Sequence, residues 1–83
     1  LYRSFETIRN YINHENIPVI LVGSGRDKDY EHDGFSHWAL EDREVMALFP
    51  NIACYWPNTK EEAAELVTKV IGARLPVYIN LRR

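Results

Sequence analysis

An uninterrupted apolar run near residue 20 constrains the fold of this chain more than any other feature. Residues 17–22 read Ile-Pro-Val-Ile-Leu-Val, and such a continuous, β-branched run is typical of a strand buried on both faces of a parallel sheet. The run stops at a Gly-Ser-Gly turn over residues 23–25. We therefore predict a strand at residues 17–22 with helices packed on the faces of its sheet.

Helical and strand patterns alternate on both sides of this run. A helix is predicted over residues 1–13, because apolar residues recur there at helical spacing. These residues are Leu1, Phe5, Ile8 and Ile12. A second helical stretch is expected from about Trp38 until Pro50 breaks it, and a short strand over residues 52–56 follows. The apolar residues of this second helix are Leu40, Val45, Met46, Leu48 and Phe49.

The last third of the chain begins with a helix-start motif. Thr59 and Glu62 form a capping box, in which each side chain satisfies a free amide of the other residue. The predicted helix buries an apolar stripe and ends at Gly72, where a C-cap glycine is typical. The stripe consists of Ala63, Leu66, Val67, Val70 and Ile71. Residues 77–81 are the third predicted strand.

The alternation of helix and strand predicts an α/β fold, a parallel β-sheet of about three strands with about three flanking helices. In open parallel sheets, ligands bind beyond the carboxyl ends of the strands. The connection after the first strand, residues 23–36, takes roughly 14 residues where such loops usually take 2–6, and long loops are usually functional or disordered. It leads to Asp33 and His37, which we expect at the ligand-binding edge together with Arg82 and Arg83.

Length and composition exclude several classes of function. The 83 residues make at most one small domain, and the net charge of −2 provides no basic face for nucleic acid. No apolar run approaches the roughly 18 residues of a membrane span. The single Cys54 lies in an apolar run, which favours a buried structural thiol in a reducing, cytoplasmic compartment. Because the chain begins without an initiator Met, we expect it to be part of a longer protein.

Several motifs, taken in order, resemble one enzyme family. They are Pro18-Val-Ile-Leu-Val-Gly, His32-Asp-Gly-Phe-Ser-His37, Glu41-Asp42, Pro50-Asn51-Ile52, Pro57 and Pro76-Val-Tyr-Ile-Asn-Leu-Arg-Arg83. Their spacing resembles the second half of the pyrimidine-binding domain of transketolase-type thiamine diphosphate enzymes. It is closer to transketolase and deoxyxylulose phosphate synthase than to the keto acid dehydrogenase β subunits. The resemblance covers nearly the whole chain, so residues 1–83 are identified as a partial domain of this kind.

The resemblance implies roles for four residues of this sequence. His37 matches a catalytic histidine near the cofactor's aminopyrimidine that helps hold the reacting carbon and oxygen of the donor. Asp33 matches an aspartate that hydrogen-bonds a sugar hydroxyl of the substrate. Arg83 matches an arginine that binds the substrate phosphate. Phe5 falls at a position that is often aromatic and lies near the pyrimidine ring of the cofactor.

The resemblance also implies the activity of the parent enzyme, which is the transfer of a two-carbon ketol unit between sugar phosphates. Its cofactors are thiamine diphosphate and Mg²⁺, and its active site lies between the subunits of a homodimer. The activating glutamate and the diphosphate and metal motif belong to other parts of such an enzyme, so these 83 residues are expected to be inactive alone. Phe35-Ser36 replaces the usual Pro-Thr, and Gly25 replaces a common histidine, which leaves another ketose or keto acid open as substrate.

Structural interpretations stay open beside these roles. Asp33 precedes Gly34 in a favoured turn pair, and His37 is able to cap a helix start. Glu41 and Asp42 suit the first turn of a helix, where carboxylates meet the macrodipole. Phe5 suits the core.

Two wider alternatives concern metal binding and the whole chain. Charged residues of the long loop have no standard zinc spacing, so no metal site is predicted. They are Asp29, Glu31, His32, Asp33 and His37. For the whole chain, the alternative is a non-catalytic α/β module that binds a partner chain or a small ligand.

Overall fold

Three parallel strands form the sheet of this protein, in a computed structural model that describes residues 2–82. The strands are β1 (Ile20–Ser24), β2 (Ala53–Tyr55) and β3 (Val77–Leu81), and they lie in the order β1-β3-β2. Residues Ile20 of β1 and Ala53 of β2 both pair with Val77 of β3. The predicted parallel α/β fold is confirmed, and the last strand along the chain lies at its centre.

Three helical segments accompany this sheet. The first comprises a 3₁₀ turn (Tyr2–Ser4), the α-helical turn α1 (Phe5–Thr7) and a π-helical stretch (Ile8–Asn13). Helical backbone thus extends over the predicted residues apart from Leu1, which lies outside the described residues. The other two helices are α2 (Asp42–Met46) and α3 (Lys60–Val70). Within residues 2–82, none of these helices is long and apolar enough to cross a membrane.

Helix α2 is much shorter than predicted. It begins at Asp42 rather than near Trp38, and it ends at Met46. The chain before it is not helical, because the Ala39 amide donates a hydrogen bond of 2.8 Å to the Asp27 carbonyl in an isolated antiparallel bridge. A contact within the long loop therefore replaces the first turn of the predicted helix.

Among the described strands β1 lies at an edge of the sheet, and one of its faces is exposed, which corrects the prediction that it is buried on both faces. It begins at Ile20, later than predicted, because the Ile17 amide still donates to the Ile12 carbonyl at the end of the first helical segment. Val22 is 61% exposed, whereas Leu21 is half-buried. β3 takes the central position instead, and four of its five residues are buried.

Alternation along β3 divides the core between the two faces of the sheet. Tyr78 packs with residues of the first helical segment and of the chain around α2. This cluster consists of Ile8, Met46, Phe49, Ile52 and Tyr78. Val77 and Ile79 pack in a second cluster with Val70 of α3. A central strand that contributes to both clusters is typical of a parallel sheet with helices on both faces.

The predicted capping box at the start of α3 is confirmed with one change of partner. Thr59 Oγ1 accepts a hydrogen bond of 3.0 Å from the Glu62 amide. Glu62 Oε2 accepts one of 2.8 Å from the amide of Asn58, the residue before Thr59. Both side chains therefore hold the turn that leads from β2 into α3.

The end of α3 differs from the prediction. The helix ends at Val70, Ile71 keeps a right-handed helical conformation, and Gly72 is not left-handed. The expected C-cap glycine is therefore wrong. Of the predicted apolar stripe, Val70 is buried but Ile71 is exposed, because only part of this helix faces the sheet.

We expect Thr59→Ala to lower the free energy of unfolding by about 1 kcal/mol, because the Glu62 amide loses its acceptor. Thr68→Ala is the matched control, since the Thr68 hydroxyl only returns a hydrogen bond to the Ala64 carbonyl within α3. Urea denaturation measures both changes. Equal destabilisation by the two substitutions would contradict the capping role of Thr59.

Candidate functional site at the carboxyl edge of the sheet

The connection from β1 to α2 is ordered by tight turns. Gly25 (φ 84°) and Asp27 (φ 51°) are left-handed, so the backbone turns sharply where β1 ends. Two 3₁₀ turns follow, Glu31–Asp33 and Phe35–His37, and Gly34 (φ 87°) separates them. The left-handed glycine agrees with the interpretation of the Asp-Gly pair as a turn.

Arg26 holds this loop against the ends of the other two strands. Arg26 is 1% exposed, and its Nη2 donates to the carbonyl oxygens of Pro57 at 2.6 Å and Asn80 at 2.7 Å. Its Nη1 donates to Asn58 Oδ1 at 2.8 Å. Burial, aided by the charges of two other arginines, lowers the pKa of Arg26, yet a guanidinium stays protonated in proteins. A buried cation therefore joins the carboxyl ends of all three strands.

Asp42, at the start of α2, accepts hydrogen bonds from side chains of β3 and of the residue that follows β2. It is 6% exposed, and its Oδ2 accepts hydrogen bonds from Trp56 Nε1 at 3.0 Å, Asn80 Nδ2 at 3.0 Å and the Tyr78 hydroxyl at 3.3 Å. Asn80 Nδ2 also donates to the Tyr78 oxygen at 3.0 Å. A buried carboxylate needs hydrogen-bond donors in place of water. These donors therefore allow the Asp42 carboxylate to be buried here.

Two protonated groups accompany the Asp42 carboxylate. Burial raises the pKa of Tyr78, and the charge of Asp42 adds to this rise while the hydrogen bond from Asn80 opposes it. Burial also raises the pKa of the Cys54 thiol, again with a contribution from Asp42. Cys54 is half-buried and forms no disulfide. A thiol that stays protonated is a poor nucleophile, which agrees with the predicted structural role of Cys54.

A cleft of about 280 Å³ lies where the end of β1, the long loop, the start of α2 and the end of β3 meet. Its polar lining residues are Ser24, Ser36, Glu41, Asp42, Tyr78 and Asn80. Tyr2 of the first helical segment also lines it, and the Tyr2 hydroxyl donates to Glu41 Oε1 at 2.8 Å. This hydrogen bond raises the pKa of Tyr2. The cleft is the candidate ligand site, because it lies at the edge where parallel sheets bind ligands.

Within residues 2–82, two buried polar side-chain atoms have no hydrogen-bond partner, Asn80 Oδ1 and Arg26 Nε. Both residues lie at the carboxyl edge, and Asn80 lines the cleft while being only 2% exposed. Buried polar atoms without partners are rare in folded proteins. An unpaired acceptor beside a cleft indicates a position where a bound molecule completes the hydrogen bonding.

The structure brings His37 and Asp33 to the same loop but not into the lining of the cleft. Both side chains are exposed. His37 Nδ1 lies 3.1 Å from Ser36 Oγ, and His37 stands between Ser36 and Trp38, which both line the cleft. Asp33 Oδ2 lies 3.5 Å from His32 Nε2. His37 is thus a neighbour of the cleft, Asp33 lies four residues earlier in the same loop, and the roles of both stay predictions.

Phe5, a further predicted site residue, is not among the residues that line this cleft. The Phe5 ring packs against Phe49, with 5.2 Å between ring centroids, beside the first core cluster. Phe49 is thus a structural partner of the Phe5 ring, and the role of Phe5 next to the cofactor stays a prediction. Arg83 lies outside the described residues. The preceding Arg82 pairs with Asp29 at 3.0 Å, which ties the end of β3 to the long loop.

Sequence reasoning missed the residues that build the cleft. Tyr78 and Asn80 alternate with apolar residues along β3, and this period of two indicates one polar face on a buried strand. The sequence predicts Asp42 only as a helix-start residue. Asp42 does begin α2, but its three hydrogen bonds come from residues distant in sequence. Nothing in the charged loop distinguished Arg26 as the buried residue.

In the part of the chain that the structure describes, no group of three or more histidine, cysteine, aspartate or glutamate side chains could hold a metal ion. Two aspartates of the long loop pair with an arginine instead. Arg82 contacts both Asp27, at 3.8 Å, and Asp29, at 3.0 Å.

The chain matches a known protein family along its whole length. The profile of the transketolase pyrimidine-binding domain matches residues 1–83. The chain belongs to this family. The predicted resemblance to a transketolase-type thiamine diphosphate domain is thereby confirmed. A curated relative is the "Uncharacterized 33.6 kDa protein in fasciation locus" of Rhodococcoides fascians, which is 28% identical over 79 residues, 95% of this chain and 25% of that protein. The chain therefore spans about a quarter of the length of this relative.

We expect Asp42→Ala to lower the free energy of unfolding by about 3 kcal/mol or more, because three buried donors lose their acceptor. Glu41→Ala removes the adjacent carboxylate, which is exposed and accepts a hydrogen bond from the Tyr2 hydroxyl, so its cost should stay within about 0.5 kcal/mol. Chemical denaturation at neutral pH compares the two variants. Similar costs would show that the Asp42 network does not hold this edge together.

Alkaline pH should weaken the fold through Tyr78. Its pKa is raised in the folded state, so its contribution to stability is full below the ordinary tyrosine pKa of about 10 and is lost as pH rises through the folded value. Denaturation between about pH 8 and 11 should show a smaller alkaline loss for Tyr78→Phe than for the wild type. Tyr11→Phe, at an exposed tyrosine, is the control. An unchanged alkaline loss in Tyr78→Phe would exclude this role for Tyr78.

Proposed function

We propose that this chain serves in an enzyme that transfers a two-carbon ketol unit between sugar phosphates with thiamine diphosphate. The observation that carries the proposal is the match of residues 1–83 to the transketolase pyrimidine-binding domain. The arrangement at the carboxyl edge supports it, because the loop with Asp33 and His37 borders the cleft. That edge is the one at which parallel α/β sheets bind their ligands.

In this proposal, His37 and Asp33 act on the substrate from the rim of the cleft. The His37 imidazole donates a hydrogen bond to an oxygen of the donor or moves a proton near neutral pH. Its exposure leaves the ring accessible, and Ser36 Oγ beside Nδ1 is able to orient it. The Asp33 carboxylate accepts a hydrogen bond from a sugar hydroxyl. Arg83 supplies a guanidinium for the substrate phosphate.

The described residues fit the pyrimidine end of the cofactor. An apolar groove of about 380 Å³ lies beside the cleft and shares Gly23 and Tyr78 with it. Other residues of the groove are Ser4, Thr7, Ile8, Ile12, Leu21 and Val22. Four of them come from the helical segment that carries Phe5. We assign the cofactor's ring to this groove; when bound, thiamine diphosphate supplies an electron sink for the ketol fragment.

The diphosphate and its Mg²⁺ are assigned to other parts of the parent enzyme. The groove and the cleft present no lysine, arginine or histidine among their described lining residues, and residues 2–82 contain no metal-binding group of side chains. We propose that a homodimer in the cytoplasm brings these parts together. The 83 residues then supply the substrate side and the pyrimidine side of the active site.

Changing His37 to Ala in the full-length enzyme tests the proposal. We expect the thiamine diphosphate-dependent kcat/KM with a ketose phosphate donor to fall by about 10²–10⁴-fold, the usual contribution of a general acid or base. His14→Ala is the matched control, because His14 is also exposed but follows the first helical segment, away from the carboxyl edge. The control should keep its activity within about twofold.

Two results would contradict the proposal. One is equal activity of the His37→Ala and His14→Ala enzymes. The other is the absence of any cofactor-dependent turnover in the wild type, which would favour the alternative of a non-catalytic binding module.

A further inference from the structure

A groove of about 440 Å³ lies between α2 and β2, at an edge of the described sheet. We call it the α2–β2 groove. Its walls are mostly apolar and include the buried side chains of Met46, Phe49 and Ile52. Pockets of this volume, lined by apolar and aromatic side chains with few polar groups, are typical of small-molecule sites. None of its lining residues lines the cleft or the groove assigned to the cofactor's ring.

Arg43 supplies the only charge among the described lining residues of the α2–β2 groove. Its guanidinium carbon lies 4.6 Å from the centroid of the Trp56 ring, which is a cation–π stack. The Trp56 ring is itself held in place, because its Nε1 donates to Asp42 Oδ2 at 3.0 Å. The stack therefore positions the guanidinium at the wall of the groove before any ligand binds.

The positive charge of Arg43 is not matched by a carboxylate of the described residues. Within residues 2–82, its side chain forms no ion pair and no hydrogen bond, whereas Arg82 pairs with two aspartates of the long loop. Arg43 is exposed, so its N–H groups are accessible. A guanidinium presents these groups in a planar fork that matches the two oxygens of a carboxylate. A single cation beside apolar walls therefore suits a ligand with one negative charge and a hydrocarbon part.

We propose that the α2–β2 groove binds a small monocarboxylate that carries an apolar chain or ring. The Arg43 guanidinium holds the carboxylate, and the hydrocarbon part is removed from water against the apolar walls. A phosphate would bring a second negative charge without a second cation, and it has no apolar surface to bury. The inference does not rest on the proposed function, because the groove shares no lining residue with the cleft.

NMR of the ¹⁵N-labelled full-length protein tests the binding, with 3-phenylpropionate as the probe. Trp56 lines the groove and Trp38 lines the cleft, so their indole N–H signals distinguish the two sites. At millimolar concentration, the probe should shift the Trp56 signal and leave the Trp38 signal in place. No shift at Trp56 would overturn the inference and would indicate that another part of the parent protein covers the groove. An equal shift at Trp38 would overturn it as well, since the probe would then bind outside the groove.

Two related compounds test the charge and the apolar part of the ligand separately. The amide 3-phenylpropionamide keeps the ring and loses the charge, and acetate keeps the charge and loses the ring. Each should bind at least about tenfold more weakly than 3-phenylpropionate. Equal affinities for the acid and the amide would refute the role of Arg43. Equal affinities for acetate and 3-phenylpropionate would refute the role of the apolar walls.

Substitution of Arg43 tests the cation directly. Arg43→Gln should weaken the binding of 3-phenylpropionate by about tenfold and leave that of the amide unchanged, since the carboxylate loses its cation. Arg74→Gln is the matched control, because Arg74 is also exposed but lies outside the groove, between α3 and β3. The control should change the affinity by less than about twofold. Equal losses in the two variants would attribute the binding to the overall charge of the protein.

A larger side chain in the groove completes the test. Ala47→Phe should weaken the binding of 3-phenylpropionate by at least about tenfold, because the new ring fills part of the groove. Leu48→Phe is the control at the next residue, which does not line the groove, and it should keep the wild-type affinity. Both positions are exposed, so neither substitution disturbs the core. Equal affinities of the two variants would place the binding elsewhere and overturn the inference.

Discussion

The buried carboxylate of Asp42 is the interaction on which the carboxyl edge of this protein depends. It takes donors from Trp56, the residue after β2, and from Tyr78 and Asn80 of β3, at the point where α2 begins. A carboxylate loses much hydration when it is buried, so it needs these donors as much as they need an acceptor. The network therefore positions a short helix of five residues that has little stability of its own. It also fixes the Asn80 amide that lines the cleft.

Close packing around this network explains a small residue that no motif marks. A Cβ atom at Gly23 would lie 2.7 Å from the Tyr78 hydroxyl oxygen and 3.3 Å from Asn80 Nδ2. Any side chain at position 23 would displace the hydroxyl that donates to Asp42. The glycine at the end of β1 is thus required by the polar groups of β3 rather than by its own backbone angles. Arg26, three residues after Gly23, donates a hydrogen bond to the Asn80 carbonyl of β3. Contacts with β3 therefore constrain both the end of β1 and the loop that follows it.

The sequence predicts the parts of this fold that depend on local patterns. The bounds of β3, the Thr59 cap of α3 and the parallel direction of the strands follow from periodicity and capping, which act over a few residues. The burial of residues 17–22 is mispredicted, since an apolar run looks the same in a central strand and in an edge strand. The cleft is harder to predict from the sequence, because its polar contacts join residues that lie far apart in the chain. Motif resemblance found the loop with His37, whereas Arg26 and Asn80 required the three-dimensional structure.

The order of strands has a consequence for how the protein is made. β1 and β2 lie on opposite sides of β3, so neither of these two ladders exists until β3 has left the ribosome. Pairing between distant segments is slow to form, because the intervening chain must be ordered first. During synthesis, β1 therefore meets β3 only after the 52 residues between Ser24 and Val77 have been translated. Ribosome-associated chaperones have their opportunity to act in that interval.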